Sequence, residues 1–327
     1  MATADVTARV TTRRLSGRRV RLGDLLLQLL AGLAAAASVV LVLLIAWKVI
    51  DGARPALAKE GIGFVTHTVW NPVLGREAFG AGSFLFGTAI TSILALALAT
   101  PLAIGIALYL TELAPNFLRG PVTALVETLA AVPSVVIGLW GIYVLGPFLQ
   151  QHVEPVLHDG LGFIPLFGAP SSAGPSIFTA VIVLTIMIIP IVSSISRELF
   201  LGVPHELKEG ALALGTTRWE MVRGVMFPYA RGGIAAAMIL GLGRAIGEAI
   251  AITQVIGGGV FIHWSIFSTG DTLASKIAAS YQGAASNLEV SALIYLGLIL
   301  LVFSLFFNLL AQWIVRSVAR RQGIDTP

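Results

Sequence analysis

An arginine and a glutamate interrupt one of the most apolar stretches of the chain. Arg244 and Glu248 lie four residues apart in LGLGRAIGEAIAIT, residues 240–253. In a continuous helix this spacing places both side chains on one face, although arginine before glutamate is the less favourable order. A guanidinium presents a planar fork of donors that fits a tetrahedral oxyanion. The pair therefore predicts either a structural ion pair or a site where Arg244 contacts a passing anion and Glu248 holds and partly neutralises Arg244.

The composition places this pair in a membrane. The chain of 327 residues is 56% hydrophobic and 12% charged, whereas soluble domains carry about 25% charged residues. Its formal charge of +4 comes from basic residues that flank apolar runs, a pattern that indicates membrane orientation rather than nucleic-acid binding. The absence of cysteine excludes disulfides, thiolate metal sites and cysteine nucleophiles.

The apolar runs predict an all-α integral membrane protein with six spans. Each run is long enough to cross a bilayer, which takes about 20 residues, and none alternates with a period of two, as a barrel would. Arg244 falls near the middle of the fifth, where an arginine costs about 2.5–3.5 kcal/mol. The predicted spans are residues 25–49, 83–111, 121–147, 176–197, 232–256 and 289–315.

The basic residues predict the orientation and the domain boundaries. With both termini in the cytoplasm, fifteen of the 21 lysines and arginines lie inside and five outside, and Arg244 lies within a span. The first run is too long for a signal-peptide core of roughly 7–15 residues, so it is interpreted as a retained helix. We expect a basic tail at 1–24, a six-span domain at 25–315 with an inner loop at 198–231, and a tail at 316–327.

The inner loop predicts a helix, a glycine turn and a second helix. Pro204 suits the first turn of a helix, and Gly215 can end that helix in a left-handed cap. Thr217 and Glu220 have the spacing of a capping box, and Pro228 is expected to limit the second helix. From the pattern alone, this segment is either an ordinary amphipathic connector or a functional device.

The same loop resembles the signature of bacterial ABC-importer permeases, which is E-A-A, three residues, G, nine residues, I-x-L-P. Gly210 and Phe227 depart from that pattern where alanine and leucine are usual. The resemblance implies a type I (MetI-like) permease fold whose cytoplasmic coupling helices, between spans 4 and 5, dock on an ATPase subunit. The matching residues are Glu209, Ala211, Gly215, Val225 and Pro228.

The chain has no G-x-x-x-x-G-K-[ST] phosphate loop. If ATP drives transport, ATP and Mg²⁺ therefore belong to a partner subunit. On this view the chain is a transport subunit with no cofactor of its own, not an enzyme. The five histidines lie in or beside loops without ligand spacing, so no metal site is expected.

Longer stretches resemble the phosphate-specific permease family, and within it the PstC-type subunits. They include ETLAAVPSVVIGLWGIYVLGP (127–147) and GLGRAIGEAIAITQVIGG (241–258). Ile137 and Ala249 depart from the family pattern, which has tyrosine and threonine there. The resemblance implies a complex in a bacterial cytoplasmic membrane with a homologous second permease, two ATP-binding subunits and an extracytoplasmic phosphate-binding protein.

Arg244, Glu248 and Glu127 are the predicted substrate-pathway residues. The first two match residues regarded as functional in phosphate permeases. Glu127 is interpreted as opening span 3 near the cytoplasmic interface, where it either faces the inner mouth or is a helix-start carboxylate favoured by the helix dipole. Alternatives remain: a permease for another oxyanion, the sibling phosphate permease subunit, a stand-alone secondary transporter or channel, and a membrane anchor or sensor.

Overall fold

The computed structural model describes residues 22–171 and 174–320, with side chains except at 22, 24 and 314–320. This part is helical apart from one two-stranded antiparallel hairpin of β1 (Trp70–Asn71) and β2 (Ala78–Phe79). The helices are α1 (Leu22–Glu60), α2 (Gly82–Leu108), α3 (Asn116–Ala131), α4 (Ser134–Trp140), α5 (Gly146–Phe148), α6 (Glu154–Leu161), α7 (Ile177–Leu201), α8 (His205–Ala213), α9 (Arg218–Met221), α10 (Phe227–Gly247), α11 (Ile250–Val255), α12 (Leu273–Ser280) and α13 (Asn287–Arg320). Four π-helical turns lie at Tyr109–Leu113, Gly141–Leu145, Leu149–Val153 and Val222–Met226, and 3₁₀ turns lie at Gly61–Val65, Pro165–Phe167 and Tyr281–Gly283.

Six helical segments in the described residues are long and apolar enough to cross a membrane, which confirms the predicted number of spans. Residues 1–21 and 321–327 of the predicted tails lie outside the described residues. The chain divides into a unit that ends at Lys48 and a unit that begins at Val49; the first contributes the apolar, exposed part of α1, and the second contains everything discussed below. The six segments are Leu25–Val65, Gly82–Leu113, Ser134–Leu161, Ile177–Leu201, Arg218–Gly247 and Asn287–Trp313.

The predicted third span, 121–147, is wrong because it combines two helices. α3 ends at Ala131, and Val132 is extended (φ −64°, ψ 126°) before Pro133. A proline disfavours the helical conformation in the residue before it. The third candidate span begins after this proline and continues to Leu161, so residues 148–175, which separate the third and fourth predicted spans, start within a helix.

The predicted fifth span, 232–256, is also displaced. The helix begins at Arg218, in the inner loop, and ends at Gly247. Pro228 does not end it, contrary to expectation. The ring of a helical proline clashes with the carbonyl four residues earlier, which here is Gly224, within the π turn Val222–Met226. Since a π turn departs from the α-helical ladder at this position, the helix continues past the proline.

The core of the second unit forms where α2 packs on α7. Small side chains allow this close approach, as is typical of membrane helices. Along α2, Ala95, Ala99, Ala103 and Ala107 recur every four residues and are fully buried. Pro101 and Pro190 lie inside α2 and α7 without ending them.

The C-terminal part of the third span is tied to the start of α7 by a buried carboxylate. Glu154 at the start of α6 is fully buried. It accepts hydrogen bonds from the Ser171 backbone N–H (2.8 Å) and the Ser176 hydroxyl (3.3 Å). Ser176 in turn caps α7 by accepting from the Thr179 N–H (3.1 Å). A buried carboxylate is tolerated when it is hydrogen-bonded in this way.

The start of α12 docks against α2. The Leu273 N–H donates to the Thr88 hydroxyl oxygen at 2.9 Å. Asp271 accepts from the Ser275 hydroxyl and from the Thr272 N–H. Burial raises the pKa of the Asp271 carboxyl, while these bonds and nearby Lys276 oppose the rise. A Cβ at Gly87 would lie 2.0 Å from the Asp271 carbonyl oxygen, so this contact requires a glycine.

We expect Gly87→Ala to displace α12 and to lower the stability of the protein by about 1–3 kcal/mol through overpacking. The matched control is Gly105→Ala on the same helix, where a Cβ would meet nothing within 4 Å. The measurement is the thermal unfolding midpoint of the purified transporter. Equal midpoints for the two variants would contradict the close contact.

Candidate functional site

The candidate site lies at a break between α10 and α11. α10 ends at Gly247, Glu248 is extended (φ −72°, ψ 117°), and α11 begins at Ile250. Arg244 is in the last turn of α10. Arg244 and Glu248 still lie one turn apart on the same face of α10, because the residues between them are helical and the backbone departs only at the ψ angle of Glu248. The expectation that the helix continues to residue 256, with Arg244 near its middle, is wrong.

Arg244 and Glu248 form an ion pair at the end of α10, where this break begins. The Arg244 Nη2 lies 3.4 Å from Glu248 Oε2. The other carboxylate oxygen, Oε1, accepts from the Ala251 N–H at 3.2 Å. The Glu248 side chain is 7% exposed and that of Arg244 is 42% exposed. The carboxylate is thus fixed inside the protein, while part of the guanidinium is open to a further ligand.

Arg244 lies at the border between the buried and the exposed face of α10. The buried face, which includes Ile234, Ala237, Gly241 and Ala245, begins beside Arg244, since Ala237 and Gly241 lie seven and three residues before it. A Cβ at Gly241 would lie 2.9 Å from Ile188 of α7. The exposed face carries mostly small residues. A Cβ would meet nothing within 4 Å at Gly232, Gly243 or Gly247.

α11 is held in place by α4 and the π turn after it. A Cβ at Gly138 would lie 2.9 Å from the Ala251 Cα, and a Cβ at Gly141 would lie 2.7 Å from the Val255 side chain. The backbones approach closely because neither glycine has a side chain. Ile137, where the family pattern has tyrosine, is buried beside them in the same core. The outer side of the break is consequently more constrained than the Arg244 side.

Glu127 lies near the C-terminal end of α3, not at a helix start. The helix-start interpretation is wrong, since the dipole disfavours a carboxylate at this end. Among the described residues it pairs with Arg197 of α7, whose Nη2 lies 3.9 Å from Glu127 Oε1. The same guanidinium donates to Glu198 at 2.8 Å and to the Thr123 hydroxyl at 3.4 Å. Glu127 therefore belongs to a second arginine–carboxylate group and has no described contact with Arg244.

The inner loop has the predicted helix, turn and helix. Gly215 has φ +83°, and it ends α8 in a Schellman motif: its N–H donates to the Leu212 carbonyl (3.0 Å) and the Thr216 N–H donates to the Ala211 carbonyl (3.4 Å). The capping box of Thr217 and Glu220 is present at the start of α9. These local predictions are confirmed.

The loop signature divides into residues that pack and residues that stay exposed. Ala211 and Val225 pack against the inner cluster of buried side chains around Phe200 and Met226, whereas Glu209, Gly215 and Pro228 are exposed. Large apolar side chains also remain exposed on the two helices and in the turn between them, an uncommon arrangement that marks an interaction surface. They are Leu207 (47%), Leu212 (42%), Leu214 (87%) and Trp219 (63%).

Sequence reasoning missed the ion pair that fixes α8 to the bundle. The Lys208 Nζ lies 2.7 Å from Glu112 Oε1, at the inner end of the second span, and donates to the Phe200 carbonyl at 3.2 Å. The side chains of Lys208 and Glu112 are 12% and 20% exposed. Their separation of 96 residues gave no local pattern from which to predict the contact.

The described residues hold no group of three or more His, Asp or Glu side chains placed to bind a metal ion. Arg244 and Glu248 are the paired side chains at the break. Six apolar spans, a helix pair between the fourth and fifth of them, and a half-exposed arginine at a helix break define the class of the molecule: a multi-pass membrane transport subunit.

Comparison with known families agrees with this class. Residues 99–321 match the family described as binding-protein-dependent transport system inner membrane component, and the chain belongs to that family. A phosphate transport system permease protein PstC from Haemophilus influenzae is 42% identical over 83% of this chain and 86% of its own length. The protein of the same name from Mesorhizobium japonicum is 41% identical and covers 96% of both chains. PstC 2 of Mycobacterium tuberculosis is 42% identical over 90% of this chain and 92% of its own.

Solved structures support the fold. A chain of a bacterial alginate ABC transporter, in complex with an alginate pentasaccharide-bound periplasmic protein, has a TM-score of 0.59 at 17% identity and covers 92% of this chain and 98% of its own. A chain of the inward-facing MetNI methionine ABC transporter has a TM-score of 0.51 at 18% identity, with coverage of 72% and 94%. The type I, MetI-like importer fold expected from the sequence is confirmed.

We expect Lys208→Met to loosen α8 from the second span, because Glu112 loses its partner in a mostly buried position. The free energy of unfolding should fall by about 1–3 kcal/mol, a value between those of exposed and of buried ion pairs. It is measured as lower thermal stability and as less transport for each ATP hydrolysed by the assembled complex. The charge-swapped double variant Lys208→Glu/Glu112→Lys should recover part of both. Wild-type coupling in Lys208→Met would show that the pair does not fix the helix.

Proposed function

We propose that this chain is a permease subunit of an ABC importer that moves inorganic phosphate into the cell. The half-exposed Arg244 guanidinium, held by a buried carboxylate at a helix break, is the observation that carries the proposal. A guanidinium can bind two oxygens of a phosphate at once. The similarity to phosphate permeases over most of the chain supports phosphate as the anion.

Glu248 makes this arginine suitable for passage as well as for binding. An unopposed arginine in an apolar environment would hold an anion strongly. The Glu248 carboxylate at 3.4 Å offsets part of that attraction, and a conduction site must bind its ion weakly enough to release it. We further propose that Glu127, with Arg197, lies at the inner end of the path, as its place near the end of α3 suggests.

The helix pair of α8 and α9 is proposed to dock on an ATP-binding subunit. The exposed Leu207, Leu212, Leu214 and Trp219 supply an apolar surface for that contact. The helix from Arg218 to Gly247 continues from this surface to the Arg244 site. A displacement of the coupling helices can therefore reach the site through one rigid element.

The proposed complex contains a homologous second permease, two ATP-binding subunits and an extracytoplasmic phosphate-binding protein in a bacterial cytoplasmic membrane. ATP and Mg²⁺ would bind to the ATP-binding subunits, and this chain would supply no cofactor site. Both termini would be cytoplasmic, as the distribution of lysine and arginine indicates. The exposed small-residue face of α10 would then face the interior of the complex, since polar side chains in membranes face a cavity or a partner helix.

We expect Arg244→Ala to abolish phosphate uptake while the complex still assembles, because the side chain is partly exposed and packs little. The measurement is uptake of labelled phosphate by proteoliposomes with ATP, with subunit stoichiometry checked after purification. Arg244→Lys keeps the charge but not the planar fork, and should retain a minor fraction of uptake. Full uptake by Arg244→Ala at normal assembly would refute the pathway role. If unlabelled sulfate or phosphonate reduces the uptake of labelled phosphate as strongly as unlabelled phosphate does, the transporter carries another oxyanion as well.

We expect Gly215→Val to uncouple ATP hydrolysis from transport, because a β-branched residue is strained at φ +83°. Gly215→Asn is the matched control, since asparagine tolerates the left-handed conformation better. ATP hydrolysis stimulated by the binding protein, compared with phosphate uptake in the same vesicles, measures coupling. Equal coupling in the valine and asparagine variants would exclude a role for the cap.

A further inference from the structure

Glu248 lies two residues before α11, next to Ala249, which directly precedes the helix, and its carboxylate makes the capping contact that hydroxyls make at three other helix starts. Ser176, Thr217 and Thr272 each accept a hydrogen bond from the backbone N–H three residues later, at the start of α7, α9 and α12. Glu248 makes the same contact with the N–H of Ala251, at 3.2 Å, and has the extended backbone of a capping residue. At this one break the cap is a longer, charged side chain.

The additional length has a second use. Serine, threonine or aspartate would cap α11 equally well or better, but a shorter side chain would not reach Arg244 in the preceding turn. The two oxygens of Glu248 are divided between the two helices: Oε1 accepts from the α11 backbone, and Oε2 pairs with the guanidinium of α10 at 3.4 Å. The Glu248 side chain is only 7% exposed, so water competes little for either contact.

We propose that Glu248 is a positioning residue that links the geometry of the break between α10 and α11 to the occupancy of Arg244. The inference rests on the proposed function, in which Arg244 binds the transported oxyanion. The anion and Glu248 Oε2 carry the same charge and compete for one guanidinium, so binding of the anion weakens the ion pair. The bond from Oε1 to Ala251 remains, because it involves a backbone group that the anion does not need.

Anion binding therefore releases one side of the break and leaves the other fixed. α11 stays held by its cap and by its close contacts with Gly138 and Gly141. α10 loses its charged connection to α11 and can change its angle at Glu248. Because the same helix runs back to Arg218 in the coupling region, the angle at the break connects the presence of an anion with the position of the coupling helices.

Three substitutions at one position separate the two contacts. Glu248→Ser keeps a cap for α11 and cannot reach Arg244. Glu248→Gln keeps the length and the Oε1 acceptor but removes the charge. Glu248→Ala removes both contacts. In the assembled transporter we expect serine and glutamine to retain the wild-type thermal midpoint to within a few degrees, and alanine to lower it more than either.

The angle at the break is measured with spin labels on Leu240→Cys and Ile250→Cys. Both positions are exposed, at 58% and 53%, and the chain has no native cysteine to interfere; cysteines of the partner subunits are replaced by serine. In the wild type, inorganic phosphate should shift the distance distribution between the labels, and chloride should not. In Glu248→Ser and Glu248→Gln the shifted distribution should already be present without phosphate. Both variants should also transport phosphate at least roughly tenfold more slowly, the effect of about 1.4 kcal/mol.

The outcomes distinguish this inference from the proposed function. If Arg244→Ala abolishes uptake but Glu248→Ser and Glu248→Gln transport like the wild type, or the labels of the wild type do not respond to phosphate, the coupling through Glu248 is refuted and the anion site stands. If serine destabilises the protein as much as alanine does, Glu248 is not a replaceable cap and the inference also fails. Full uptake by Arg244→Ala would refute the anion site itself.

Discussion

The need to satisfy backbone polar groups within an apolar environment governs this molecule, and it is most acute where a helix breaks. Between Gly247 and Ile250 the helical hydrogen-bond ladder is interrupted, so nearby donors and acceptors require other partners. Glu248 supplies such a partner by accepting a hydrogen bond from the Ala251 backbone N–H. A buried carboxylate in turn needs a counter-charge, which Arg244 provides. The presence of an arginine in an apolar segment thus follows from the break as well as from the anion it is proposed to bind.

The same constraint explains how the two ends of the molecule can be connected. The helix that carries Arg244 begins at the capping box of Thr217 and passes Pro228 through a π turn without ending. α8 is fixed beside it by the ion pair between Lys208 and Glu112. A flexible loop would absorb a displacement from outside the membrane, whereas a capped helix joined to a second span transmits it. The rigidity of this region comes from the caps and the ion pair together with the buried apolar cluster around Phe200 and Met226.

Much of the fold could be predicted from the sequence because its signals are local. Apolar length revealed six spans, and the residues around Gly215 and Thr217 specified the cap and the capping box. Two prolines were interpreted wrongly in opposite directions, because the effect of a proline depends on the turn before it. Pro133 ends α3 after an extended residue, while Pro228 follows a π turn and ends nothing. The partners of Glu127 and Lys208 could not be predicted, since each lies on a helix distant in sequence.

For the candidate site, the sequence predicted which residues pair but not what the pair does. The spacing of Arg244 and Glu248 predicted the helical pair that the structure shows, but not the break that directly follows Glu248. The alanine that follows Glu248, where the family pattern has threonine, acquires a physical meaning in this geometry. A threonine at 249 would place a hydroxyl at the start of α11, beside the Glu248 carboxylate. Because Ala249 offers no polar side-chain atom, the Ala251 N–H in this chain bonds to the Glu248 carboxylate, and the same carboxylate pairs with Arg244.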